Sequence, residues 1–129
     1  MVWSLTTTRS LSFSRTSNAS PENILRILHD PSVLIWLNPF IIHASVDPYT
    51  SVYTITDRLD INYFNFETKY RCKFTFHIDG IDVVITANAG TKLTSRYRVH
   101  VGPSGSTEVT EQTTIEVRSV IDLPAFTGL

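Results

Sequence analysis

Residues 66–78, FETKYRCKFTFHI, carry the longest strict alternation in the chain and limit what it can become. Phe66, Thr68, Tyr70, Cys72, Phe74, Phe76 and Ile78 project to one side, and Glu67, Lys69, Arg71, Lys73, Thr75 and His77 to the other. A period of two places successive side chains on opposite faces of a sheet. One face is aromatic and apolar, the other charged and polar. That contrast predicts an antiparallel strand with water on one side and a core or cavity on the other.

The same alternation recurs on both sides of this strand. Trp3, Leu5, Thr7, Arg9, Leu11 and Phe13 share one face of a first strand over 3–15, against a serine-threonine face suited to a solvated surface. Ser20-Pro21 with Asn23 reads as a helix start, and Ile24, Leu25, Ile27 and Leu28 give a short helix its apolar face up to His29. Asp30-Pro31-Ser32 breaks that helix, with Asp30 or Ser32 as the next N-cap. Val33–Leu37 forms a second helix, stopped at Asn38-Pro39 because proline disfavours helical geometry in the residue before it. Strands follow over 40–46, 51–59, 66–78, 81–89, 92–101 and 107–120. The turns between them fall at Asp47-Pro48, across 60–65, at Asp79-Gly80, at Gly90-Thr91 and in the loop Gly102-Pro103-Ser104-Gly105-Ser106. The order is strand, two helices, then six strands, with no internal repeat and no linker.

A chain of 129 residues is read as one domain over 1–129, large enough to bury roughly two thirds of its unfolded surface. Net charge is −1, with no basic stripe, which argues against a nucleic-acid partner. Cys72 is the sole cysteine, so an internal disulfide is ruled out. His29, His43, His77 and His100 show no metal-ligand spacing, and neither a metal nor another cofactor is expected. The N-terminus lacks the apolar stretch of a signal peptide, and no run approaches the roughly 20 apolar residues of a membrane span. A cytoplasmic protein is therefore expected, with the sequon Asn18-Ala19-Ser20 unused.

The runs Leu28-His29-Asp30-Pro31, Leu37-Asn38-Pro39, Ile55-Thr56-Asp57-Arg58-Leu59 and Ala87-Asn88-Ala89-Gly90, in this element order, resemble the START-like helix-grip superfamily, SRPBCC, which includes the birch-pollen-allergen lipid binders. The likeness covers nearly the whole chain and is nearest to small fungal members of uncharacterised function. It implies an α+β fold, a curved antiparallel sheet of about seven strands around an apolar cavity that holds a hydrophobic small molecule. Several branches are cyclases or aromatases, and small fungal relatives are associated with secondary metabolism. The superfamily ends in a long helix that plugs the cup. Here Ile121–Leu129, IDLPAFTGL, contains Pro124 and Gly128, which oppose a stable helix. The closing helix is thus expected to be short or missing. A homodimer is the simple alternative cover for the apolar face.

On the inward faces the few polar groups are the informative ones. Arg9, Asp57, Glu111 and Tyr53 are the candidate catalytic residues, and Trp36, Phe40, Tyr70, Cys72, Phe74 and Tyr97 the candidate ligand contacts. The helix-grip topology makes the first and last strands neighbours, so Arg9 and Glu111 could meet across them. Such a contact is either a structural ion pair at the mouth of the cup or a polar clamp with acid-base capacity. Asp57 either faces the cup or, if a bulge slips the alternation, faces water. Each tyrosine brings an apolar ring and one hydroxyl. No phosphate-binding glycine loop, GxSxG or triad spacing is present. Three readings fit: a cofactor-free cyclase of a hydrophobic natural-product intermediate, working by orientation and exclusion of water, a carrier or sensor that binds a lipid-like ligand without changing it, or a structural module whose cavity is filled by its own side chains.

Overall fold

A computed structural model describes residues 2–87 and 90–122, with side chains over 5–87 and 90–118. The segment 123–129 and the pair Asn88-Ala89 lie outside the described residues, as does the side chain of Trp3. The expectation of a short or missing closing helix therefore falls outside what is described. The elements run β1 (Val2–Ser17), α1 (Pro21–Leu28), α2 (Pro31–Leu34), a 3-10 turn (Ile35–Leu37), β2 (Ile41–Val46), β3 (Tyr53–Ile61), β4 (Phe64–His77), β5 (Gly80–Ala87), β6 (Thr91–Val101) and β7 (Thr107–Asp122). All seven strands join one antiparallel sheet in the order β1-β7-β6-β5-β4-β3-β2. The architecture is α+β, a curved sheet with two short helices, as the alternation and the resemblance implied.

The helices begin where their caps place them. Ser20 accepts from the backbone N–H of Asn23 at 3.3 Å, and Pro21 opens α1. Asp30 accepts from the N–H of Ser32 at 3.1 Å, so α2 begins at Pro31, two residues before the expected start at Val33. Leu34 passes directly into the 3-10 turn, and Asn38 leaves the helical region at φ −86° and ψ 114°, ahead of Pro39. Thr107 Oγ1 donates to the carbonyl of Ala19 at 2.6 Å, tying the entry to α1 onto β7.

Two turns differ from the sequence expectation, and each has a local cause. The connection expected across 60–65 shrinks to Asn62-Tyr63, because Asn62 takes the left-handed conformation at φ 55° and lets both strands continue. The turn expected at Asp79-Gly80 is Ile78-Asp79, and Gly80 is the first residue of β5, paired with His77. Glycine is needed there for clearance. A Cβ on Gly80 would lie 1.8 Å from the carbonyl oxygen of Tyr97. A register shift between Ile41 and His43 marks a bulge in β2, while β3 keeps its alternation.

The core lies under the helices on the concave face. Ile81 is fully buried, and Leu28, Ile35, Ile41, Ile55, Cys72, Val83 and Val99 complete the cluster. At the β4–β5 end, His29 Nε2 lies 2.8 Å from the carbonyl of His77 and 3.0 Å from that of Gly80, and its ring meets Phe76 edge-on at 5.8 Å. That contact seats the C-terminus of α1 on the sheet. Behind it, on the convex side, Arg98 Nη1 and His77 Nε2 each reach Asp82 at 2.8 Å. Burial alone would raise the Asp82 pKa; the bonds from Arg98 and His77 outweigh it and hold the carboxyl below its ordinary range.

The close approach at Gly80 sets a stability test. Gly80→Ala should cost about 3 kcal/mol in urea unfolding, because backbone must move to admit the methyl group. Gly105→Ala, at φ 80° with open space around it, should cost about 1 kcal/mol for the left-handed backbone alone. Equal costs would refute the packing argument.

Candidate functional site: an apolar cup between two tyrosine–carboxylate pairs

The concave face is built from cross-strand rows, which pairing register defines. One row runs Phe76, Ile81, Tyr97, Glu111, Phe13 across five strands from β4 to β1. The next is Phe74, Val83, Ser95, Thr113, Leu11, and the one beyond is Cys72, Ile85, Leu93, Ile115, Arg9. Ile55, Tyr70 and Ala87 form the row at the far end. Over these rows the helices raise one wall, leaving a cup of about 530 Å³. Leu28, Leu34, Ile35 and Leu37 supply the wall, and Cys72, Phe74, Val83, Ile85 and Val109 much of the floor. A second hollow of about 450 Å³ opens at the sheet among Thr54, Lys69, Tyr70, Arg71, Thr86 and Ala87.

Each end of the cup carries the same polar unit. Tyr97 donates its hydroxyl proton to Glu111 Oε1 at 2.9 Å, and Thr113 Oγ1 donates to the same oxygen at 3.1 Å. Ser95 Oγ lies 3.0 Å from Thr113 Oγ1, extending the network along the concave face into the next row. At the opposite end Tyr70 donates to Asp57 Oδ1 at 3.0 Å. Burial, followed by the bond to the carboxylate, pushes Tyr97 up to about 12 and raises Tyr70 as well. Burial alone pushes the Cys72 thiol up to about 12. Cys72 is therefore a neutral part of the floor at ordinary pH.

The residues singled out from sequence are distributed unevenly over this site. Tyr70, Cys72, Phe74 and Tyr97 line the cup, with Asp57 and Glu111 behind the two tyrosines. Tyr53 is partly buried beside it, its ring edge-on to Phe74 at 5.3 Å. Trp36 and Phe40 are half exposed and outside the lining. Arg9 and Glu111 do not meet. Arg9 pairs with Ile115 and Phe13 with Glu111, two rows apart, or roughly 13 Å along the strands. Glu111 is satisfied from β6 and from its own strand instead. The wall residues and Asn38, Ile41, Ile55, Val83, Ile85 and Val109 were not singled out as contacts, because apolar side chains on a helix or strand face look alike whether they fill a core or line a cavity. The Tyr97–Glu111 pair did have a signal. Both residues are equidistant from the centre of the Gly102–Ser106 loop, which makes them cross-strand partners in any regular hairpin there.

Known proteins locate this geometry within a family. A family model described as a domain of unknown function, DUF7053, matches residues 7–123. The chain belongs to the DUF7053 family. A comparison with curated proteins gave no match. Among solved structures, Ara h 8.0201 superposes with a TM-score of 0.65 at 14% identity, covering 92% of this chain and 84% of its own. Norcoclaurine synthase from Thalictrum flavum, a point mutant in complex with a transition-state analogue, gives 0.65 at 15% identity over 88% and 78%. The di-domain ARO/CYC protein BexL of the BE-7585A biosynthetic pathway gives 0.58 at 14%, over 87% of this chain and 37% of its own. These likenesses show the START-like helix-grip fold for this DUF7053 chain. No helix among the described residues is long and apolar enough to cross a membrane.

Alkylation of Cys72 checks the cup floor directly. At pH 8 iodoacetamide should label the native protein at least tenfold more slowly than the urea-unfolded chain. The raised thiol pKa contributes stability in full below the unfolded value of 9.0, and that contribution is lost as pH rises toward about 12. Native stability should accordingly decline above pH 9, and Cys72→Ala should flatten the first part of that decline.

Proposed function

We propose that this protein takes a hydrophobic metabolite into the cup and promotes its ring closure without a cofactor. One observation carries the reading: an apolar cavity of about 530 Å³ has a tyrosine–carboxylate pair at each end. An apolar enclosure holds a flexible chain in a folded conformation and keeps water from it. The paired ends hold the polar groups of the ligand in register and can accept a proton from it through Asp57 or Glu111. The likeness in fold to a norcoclaurine synthase and to an ARO/CYC protein of a biosynthetic pathway supports an intermediate of secondary metabolism as the substrate class. The cytoplasm is the expected site of action. Self-association belongs to the same proposal, since Leu5, Leu11 and Phe13 stand about half exposed on the concave side of β1, where a second copy would cover them.

A carrier function is the second reading, and one observation favours it. Each tyrosine hydroxyl already donates its single proton to a carboxylate, so neither is free to polarise a substrate carbonyl.

Titration with Nile red, a neutral hydrophobic probe, tests the cup. The probe should bind saturably at one site per cup with a blue-shifted emission. Ile85→Trp, which fills the floor, should weaken binding at least tenfold while far-ultraviolet circular dichroism stays unchanged. Equal binding to both proteins would refute an internal site. With a metabolite recovered from the native protein by organic extraction, Asp57→Asn and Glu111→Gln should lower turnover at least tenfold with smaller changes in affinity if the protein is an enzyme. Effects on affinity alone would establish the carrier.

A further inference from the structure

The polar groups around the cup have a consistent sign. Among the described residues that line it there is no lysine, arginine or histidine. Lys69, Arg71 and Lys73 alternate to the convex face of β4, and the His29 ring is engaged with the carbonyls of His77 and Gly80. Arg9 is on the concave face but exposed, two rows from Glu111. The nearest charges to the cup are thus the two carboxylates. Tyr70 and Tyr97 have committed their protons to Oδ1 of Asp57 and Oε1 of Glu111. Among the described residues, Oδ2 of Asp57 and Oε2 of Glu111 accept from no protein group. Asn38, at the rim, uses Oδ1 to accept from the N–H of Phe40 at 3.0 Å, which leaves its neutral NH₂ as a donor there.

We infer that the cup selects a hydrophobic ligand whose polar end is a protonated amine, and that it rejects carboxylic acids. The inference rests on the reading of the cup as a ligand site. A carboxylate entering would lose its hydration beside two like charges with no cation to replace it. A neutral amide at the rim offers hydrogen bonds but no counter-charge. An ammonium gains hydrogen bonds to the phenol lone pairs of Tyr70 and Tyr97, strengthened by the carboxylates directly behind them. The tyrosine rings add cation–π attraction at close range. A hydroxyl falls between the two, since it can donate to the same oxygens without the charge.

Three probes with one ring system and different polar ends separate this inference from the cup reading itself. Isothermal titration calorimetry at pH 7 would use 2-(2-naphthyl)ethylamine, 2-(2-naphthyl)ethanol and 2-naphthylacetate. The alcohol reports whether the cup binds at all, and the ratio of amine to acid affinity reports its sign. The amine should bind at least thirtyfold more tightly than the acid, with the alcohol between them. In Asp57→Asn/Glu111→Gln, folded by circular dichroism, that ratio should fall toward one. Should the alcohol bind while the acid matches or exceeds the amine, the selectivity is refuted and the cup stands. A ratio in the double variant equal to that of the parent also refutes it, because the preference then arises elsewhere. Failure of all three probes to bind overturns the cup and the selectivity together.

Discussion

A strand with one apolar face is stable only if that face is covered, and this requirement governs the whole structure. β4 presents Tyr70, Cys72, Phe74 and Phe76 on one side and charged residues on the other. Its neighbours repeat the asymmetry, so the sheet can curve toward its apolar side and leave the charged and hydroxyl-bearing side in water. Two short helices supply the cover between β1 and β2. Among the described residues they do not close the concave face completely, and the space left between them and the sheet is the cup. The cavity follows from a sheet wider than its lid.

Backbone pairing then decides which polar side chains share the interior. Tyr97 and Glu111 lie directly across from each other on β6 and β7, so their hydrogen bond follows from the hairpin. Asp57 and Tyr70 are diagonal neighbours on β3 and β4, with Asp57 opposite Thr68. Both carboxylates come to an apolar interior with a donor already supplied by the adjacent strand. That donor partly replaces the hydration each half-buried carboxylate gives up.

The extent to which the sequence revealed this differs by the range of each interaction. Period-two alternation located the strands and the Ser20 cap located α1, because those signals are local, while α2 starts at Pro31, two residues before the start read from sequence. The β3–β4 and β4–β5 turns were displaced by one or two residues because the left-handed Asn62 and the contact of Gly80 with Tyr97 depend on neighbours in space. The Arg9–Glu111 contact was out of reach for a stronger reason. β1 and β7 are joined through the rest of the chain, so no tight turn sets their register, and a shift of four residues changes every partner. Whether Leu34, Ile85 or Val109 fills a core or borders a cavity depends on the volume left after packing, which residue type alone does not encode.

The backbone polar groups beneath the cup are paired across strands β3 to β7, so the floor contributes its side chains to the interior and little of its peptide dipole. Folding depends on the ladder and on a core of which Ile81 and Val99 lie outside the cup lining, while Ile85 and Val109 line the cup and are only partly buried. Volume-conserving apolar exchanges at the latter positions leave the ladder intact. Leu28, Ile35, Ile41, Ile55, Cys72 and Val83 serve both core and cup, so the freedom to vary is concentrated in the few floor positions outside the core. A lineage built on this scaffold can acquire new chemistry by exchanging floor side chains, with no change of topology.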